Sequence, residues 1–98
     1  MALILAMQAG RSMYVGNTRV EVLEGSNPHN ATVRVHHADS PTHDHHLSLD
    51  MRVQVLPGVF MCVGPGSGKS MIKIVIEAPR SVGILRDSLY EAASDKHQ

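Results

Sequence analysis

The most distinctive charged residue of the sequence is Arg86, which directly follows the short, mostly apolar run Val82–Leu85. The run is typical of a β-strand, and Asp87 or Ser88 behind it suits the cap of a short helix. Arg86 would then stand at a strand-to-helix junction, where a rigid element holds the guanidinium while it reaches outward. A guanidinium in this position suits an anionic partner. An ion pair with Asp87 or Glu91 is the simpler alternative.

Five histidines and two aspartates form the densest polar cluster of the chain. They are His36, His37, His43, His45 and His46, with Asp39 and Asp44. Imidazole is a ligand for zinc, nickel or copper, and a strand would place His43 and His45 on the same side. However, no cysteine joins them and no helical His-x-x-x-His spacing occurs. We therefore expect a solvated loop that titrates with pH, and no metal site.

Two further motifs suggest chemistry that their surroundings argue against. Val63–Ser70 ends in Gly-Lys-Ser, but Val63 stands where a phosphate-binding loop needs glycine, and a strand follows where that loop needs a helix. This segment is interpreted as a hairpin loop. Cys62 lies in an apolar run without an acid partner or an oxyanion motif, so we expect a small buried residue. The chain is expected to be neither an enzyme nor a cofactor carrier.

Runs of alternating or continuous apolar residues predict the strands that must position these groups. The predicted strands are Met1–Met7, Ser12–Val15, Arg19–Leu23, Thr32–His36, Met51–Leu56, Val59–Val63, Met71–Ile76 and Val82–Leu85. The first is expected to be buried on both faces, Ala38–His46 to be a polar loop, and Asp87–Ala93 to be a short helix. The predicted fold class is therefore mostly β.

Composition places further limits on the function. The chain has 98 residues, nine basic and nine acidic side chains, and a single cysteine. One small domain is expected, and a neutral chain must bind any nucleic acid through a local patch. A single cysteine fits a reducing cytosol, and the apolar N-terminus is too short for a signal peptide or a membrane span. We expect a cytoplasmic protein that does not bind membranes.

Two segments of the sequence resemble each other. Arg19–Gly25 and Arg52–Gly58 share the pattern Arg-Val-x-Val-Leu-x-Gly, and each is followed by a turn and another strand. A partial duplication would produce this similarity. The same pattern is also typical of any strand that enters a turn, so both interpretations stay open.

The two ends of the chain together resemble the carbon storage regulator (CsrA/RsmA) family. Ile72–Tyr90 carries the family's strand, Ala-Pro corner, last strand and helix, including the block Ala-Pro-x-x-Val-x-Ile-x-Arg. Leu3–Gly16 is similar to the family's opening strand and the strand after it. The resemblance implies a small interleaved homodimeric β-barrel or sandwich with a short C-terminal helix. In that fold the first strand pairs into the partner's sheet.

The same resemblance implies a function and a set of site residues. Members of the family bind GGA-containing RNA, control translation or stability of messenger RNA, and have no catalytic activity. Their RNA sites lie where the first strand of one chain meets the last strand of the other. The residues of this chain at the corresponding positions are Leu5, Ala6 and Met7, then Ala78, Pro79 and Arg80, and finally Val82, Ile84 and Arg86.

This sequence departs from the family pattern in two ways. Met7 and Gln8 stand where the family has paired arginines, and Arg11, which would substitute in part, lies at a glutamate position. Each lost phosphate contact weakens RNA binding. In addition, a strand-rich insertion occupies residues 26–70, or residues 17–50 if it precedes the third strand. The alternative function is a protein-interaction module that pairs with or antagonises a paralogue, or engages a partner through the insertion, and binds RNA weakly or not at all.

Overall fold

The computed structural model describes residues 2–26, 29–49, 51–65 and 71–86, with only the backbone of Leu85 and Arg86. This part of the chain contains nine β-strands and no helix. The strands are β1 (Ala2–Met7), β2 (Ser12–Val15), β3 (Thr18–Val22), β4 (Asn30–His36), β5 (His43–Ser48), β6 (Val53–Leu56), β7 (Val59–Val63), β8 (Ile72–Glu77) and β9 (Ile84–Arg86). The prediction of a mostly β protein is confirmed. The predicted helix, Asp87–Ala93, lies outside the described residues.

The strands form two antiparallel sheets. Sheet A has four strands in the order β1-β8-β7-β6, and sheet B has five in the order β5-β4-β3-β2-β9. Alternation along each strand directs one set of apolar side chains inward, as in β4, where Ala31, Val33 and Val35 are buried. Residues from both sheets join in one hydrophobic core. The two sheets are therefore the layers of a single folded unit.

Two tight turns connect β2 to β3 and β6 to β7, and each uses a glycine with positive φ. Gly16, with φ of 61°, is the first central residue of its turn, whereas Gly58, with φ of 74°, follows Pro57 and is the second. A positive φ at the first central residue gives a turn whose twist matches that of the two paired strands. The Pro-Gly turn, with its positive φ at the second central residue, does not match this twist. A register shift between Gln54 and Leu56 accompanies the Pro-Gly turn. The outer strand β6 is therefore irregular.

Two predictions about individual elements were wrong. The segment Ala38–His46, predicted as a loop, is a loop only to residue 42, and its last four residues belong to β5, because an edge strand has an outer face in which polar side chains remain hydrated. The first strand is not buried on both faces. It lies at the edge of sheet A, with Ile4 57% exposed and Met7 3% exposed.

The chain pairs its first and last strands with itself. β1 pairs with β8, from Ala2 opposite Glu77 to Met7 opposite Ile72, and β9 pairs with β2. The family resemblance implies that the first strand pairs into a partner's sheet, whereas here both pairings are made within one chain. Residues 26–70, expected to be a strand-rich insertion, include the strands β4 to β7.

The similar segments Arg19–Gly25 and Arg52–Gly58 do not occupy equivalent places. The first covers most of β3, a central strand of sheet B, and the second covers β6, at the edge of sheet A. The described residues also include no helix long and apolar enough to cross a membrane.

Candidate nucleic-acid interface

The candidate site lies along the edge strands β1 and β9, which we call the β1–β9 edge. β1 is the outer strand of sheet A, and β9 is the outer strand of sheet B. An edge strand presents backbone N–H and C=O groups on the side that faces away from its neighbour. Such groups can hydrogen-bond an extended ligand, so this edge offers backbone recognition as well as side chains.

Short connections bring the two strands of this edge together at both ends. Residues 8–11 join β1 to β2, the strand on which β9 lies, and residues 78–83 join β8, the partner of β1, to β9. The end of β1 leads into the start of β2, which is paired with the end of β9, and the end of β8, which is opposite the start of β1, leads into the start of β9, so β1 and β9 run in the same direction. The residues assigned to the site by the resemblance therefore come from neighbouring strand edges of one chain.

The first-strand residues differ in how they can reach a ligand. Met7 is in the core, and Leu5 is half-buried and packs against that core. Ala6 lies on the opposite face of the strand, as does the exposed Ile4. A ligand at β1 would thus contact its backbone and Ala6, and not the side chain of Met7.

The Ala-Pro corner forms a turn that carries the chain from sheet A to sheet B. Ala78 is buried, whereas Pro79 and Arg80 are exposed. The backbone N–H of Val82 donates to the carbonyl of Pro79 at 3.0 Å, which closes the turn. This geometry holds Arg80 at the surface, next to the start of the last strand.

The last strand is anchored on β2 by its backbone. The N–H of Gly16 donates to the carbonyl of Gly83 at 2.7 Å, and Arg86 is paired with Met13. Ile84 and Val82 are half-buried and pack against the core. They therefore position the strand, and the structure places the backbone of Arg86 at the far end of the β1–β9 edge.

Arg11 is a further basic residue at this end of the edge. Its backbone is fixed by a hydrogen bond to Gln8 (3.1 Å) and by one from Val22 (2.8 Å), while its side chain is exposed. It lies in the connection that leads to Met13, the residue opposite Arg86. The sequence indicated Arg11 only as a partial substitute. The feature of the sequence that could have indicated its location is the short connection between the first two predicted strands, in which Arg11 lies.

The exposed side chains of two basic residues, Arg11 and Arg80, lie at opposite ends of this edge, and the backbone of a third, Arg86, ends β9. Gly10 lies in the same connection as Arg11. The carboxylate of Glu24 packs so close to Gly10 that a β-carbon at this position would collide with Oε1. The edge therefore provides the local patch that a neutral chain needs in order to attract an anion.

The histidine-rich cluster lies on the far side of sheet B. His36 Nε2 is 3.0 Å from Glu21 Oε1, His46 Nδ1 is 3.2 Å from Thr32 Oγ1, and the rings of His37 and His43 meet edge to face. Among the described residues, no group of three or more His, Cys, Asp or Glu side chains is arranged to hold a metal.

A bidentate ion pair ties β5 to β4 beside those histidines. Arg34 donates from Nε to Asp44 Oδ1 at 2.8 Å and from Nη2 to Oδ2 at 3.1 Å. The hydrogen bond and the charge of Arg34 lower the pKa of Asp44 below its usual value, and His45 and His36 add to this effect. This arginine is therefore committed to an exposed pair within its own sheet.

The remaining motifs in the described part of the chain add no second site. Cys62 is half-buried on β7. Gly-Lys-Ser, at residues 68–70, lies outside the described residues. Arg52, just before β6, stacks 4.7 Å from the centre of the Phe60 ring on β7 and pairs with Glu77 on β8 at 3.1 Å, which is a structural contact.

No protein-family model matches the chain, and neither a curated protein nor a solved structure is significantly similar to it. The resemblance to the carbon storage regulator family therefore rests on the residues at the two ends of the sequence.

Proposed function

We propose that the protein is an RNA-binding post-transcriptional regulator of the carbon storage type, which recognises GGA-containing RNA at the β1–β9 edge and controls translation or stability of messenger RNA. One observation carries the proposal: the edge strands β1 and β9 are joined through their partner strands by two short connections, and Arg11 and Arg80 lie in these connections while Arg86 ends β9. Unpaired backbone groups would read bases of a single-stranded loop, while guanidinium groups would neutralise phosphates.

The proposal is supported by which residues stay exposed. Arg80 and Arg11 have exposed side chains, and Arg86 is the last residue of β9, whose backbone is fixed by β2. The apolar residues of the same segments, Val82 and Ile84, pack against the core. The segment thus separates a positioning side from a contacting side, as a binding strand requires.

The first test is an RNA titration with a GGA hairpin loop at low salt. We expect measurable binding by the wild type and about tenfold to hundredfold weaker binding by Arg86→Ala, since a hydrogen bond to a charged group contributes about 1.5–3 kcal/mol. A hairpin in which GGA is replaced by CCA should bind poorly to both proteins.

Arg34→Ala is the matched control, because it removes the same charge from the far side of sheet B. Equal losses for Arg86→Ala and Arg34→Ala would show only a general charge effect and would contradict the site. Failure of the wild type to bind any GGA hairpin at low salt would overturn the proposed function itself.

A second candidate, a protein-interaction module of the same type that binds RNA weakly or not at all, is favoured by Met7 and Gln8. The family has arginines at these positions, and the 3% exposure of Met7 leaves no room there for a phosphate contact. A folded protein without RNA affinity that forms a defined complex with a more basic paralogue would support this candidate.

A further inference from the structure

The chain is built from two structural repeats that exchange their first strands. The first repeat consists of β1 followed by the meander β2-β3-β4, and the second consists of β5 followed by the meander β6-β7-β8. β1 pairs with β8, the last strand of the second repeat, and β5 pairs with β4, the last strand of the first. The exchange is therefore reciprocal.

The registers of the last two strands of each meander agree residue by residue. The pair Arg19 and His36 in β3 and β4 corresponds to the pair Phe60 and Glu77 in β7 and β8, and the other three pairs of these strands follow with the same shift in residue number. The backbone bond from Leu23 N to Thr32 O, 2.9 Å, recurs after this shift as the bond from Gly64 N to Lys73 O, 2.6 Å.

The exchanged strands agree as well. Met7 opposite Ile72 corresponds to Leu47 opposite Ala31, and all four residues are buried. A two-fold relation of this kind is what two identical subunits produce when they swap a strand. Here both halves belong to one chain.

The side chains have diverged although the backbone repeats. Across the outer face of sheet B, Glu21, Arg34 and Asp44 lie in one row from β3 to β5. The corresponding row on sheet A contains Cys62, Val75 and Ile4. The two halves are thus equivalent in fold and different in surface chemistry.

The repeats differ in one element, and this difference affects the binding edge. β9 covers the outer side of β2, and among the described strands none covers the equivalent strand β6. After β4 the chain turns back through residues 37–42 into β5, so the first repeat has no counterpart of β9. The edge at β5 and β6 therefore lacks one of the two strands that form the β1–β9 edge.

The edge of β6 is also unsuited to accept such a strand from elsewhere. Its register is shifted between Gln54 and Leu56, and Pro57 stands where Gly16 donates its N–H to Gly83. Proline has no N–H for this bond, and irregular, short edge strands resist pairing. In addition, His45 and His46 replace Leu5 and Ala6 in the equivalent strand.

We propose that the protein works as a monomer in which two repeats take the place of two subunits, and that it carries one complete binding edge, at β1 and β9. The number of RNA sites rests on the proposed function, whereas the monomer rests on the strand exchange alone. One chain would hold one RNA hairpin, and would not bridge two.

A cross-link between β1 and β8 tests the monomer independently of RNA. Ala6 and Lys73 are opposite each other, so Ala6→Cys with Lys73→Cys, in a Cys62→Ser background, should oxidise to a disulfide within one chain. We expect a product with the mass of one chain, 10.6 kDa, and light scattering of the wild type should give the same mass. A covalent dimer would overturn the proposal, since it would show that β1 pairs between chains.

Titration of the wild type with a GGA hairpin, at concentrations well above the dissociation constant, tests the number of sites. We expect one hairpin per chain, and no change in His45→Ala with His46→Ala. Two hairpins per chain would contradict the single edge, and one hairpin per two chains would contradict the monomer. If no hairpin binds, the proposed function is wrong. The cross-link then still tests the strand exchange by itself.

Discussion

Neighbouring residues of the site differ in their exposure to solvent. Met7 and Gln8 both replace arginines of the family pattern, yet Met7 is in the core whereas Gln8 is exposed at the start of the connection to β2. The sequence gives no reason to treat the two positions differently, since both follow the same apolar run. Only the pairing of Met7 with Ile72 determines which of them faces inward.

Because Gln8 is exposed and Met7 is buried, replacing each of them by arginine should have a different effect. Gln8→Arg should strengthen RNA binding and steepen its salt dependence by about 0.7–0.9 in log K against log salt, because it adds one phosphate contact. Met7→Arg should instead lower the free energy of unfolding by about 2–5 kcal/mol, since it buries an unpaired charge. RNA titrations at several salt concentrations and urea denaturation distinguish these effects. Equal behaviour of the two variants would contradict the placement of β1.

At the scale of elements, the strands with a regular apolar pattern could be predicted and β5 could not. In β3 and β7, valine or methionine alternates with other residues, and the predicted and observed bounds agree within a residue. β5 has only Leu47 as a buried anchor, because it is an edge strand held by β4. Its formation depends on a partner distant in sequence, which a local pattern does not contain.

The strand β5 should be sensitive to acid through Asp44. The pKa of Asp44 is lowered in the folded state by Arg34, so its charged form stabilises the β4–β5 pair. This contribution is complete above the usual aspartate pKa of about 3.9 and is lost as the pH falls below that value. We expect a small loss of stability in Asp44→Asn at pH 7, and none near pH 2. Thermal unfolding of both proteins across this range measures the difference, and a constant difference would contradict the ion pair.

At the scale of the whole molecule, the sequence left a repeat as one of two open interpretations and did not give its correct alignment. The similar segments Arg19–Gly25 and Arg52–Gly58 align a central strand with an edge strand, whereas the structure relates β3 to β7. Short alternating runs before a glycine are too common to determine the alignment. The register of long-range pairs determines it, and the same pairs bring the two ends of the chain into one binding edge.

Because the repeats exchange strands and share one core, the protein should unfold as a single unit. Ile74 of β8 and its counterpart Val33 of β4 are both fully buried. Ile74→Ala should cost about 2–5 kcal/mol, and Val33→Ala somewhat less because fewer methyl groups are removed. Both variants should show one transition in urea, with the same midpoint when followed by circular dichroism and by the fluorescence of the two tyrosines, Tyr14 and Tyr90. Two separate transitions would show that each repeat folds alone, which the pairing of β1 with β8 and of β5 with β4 does not allow.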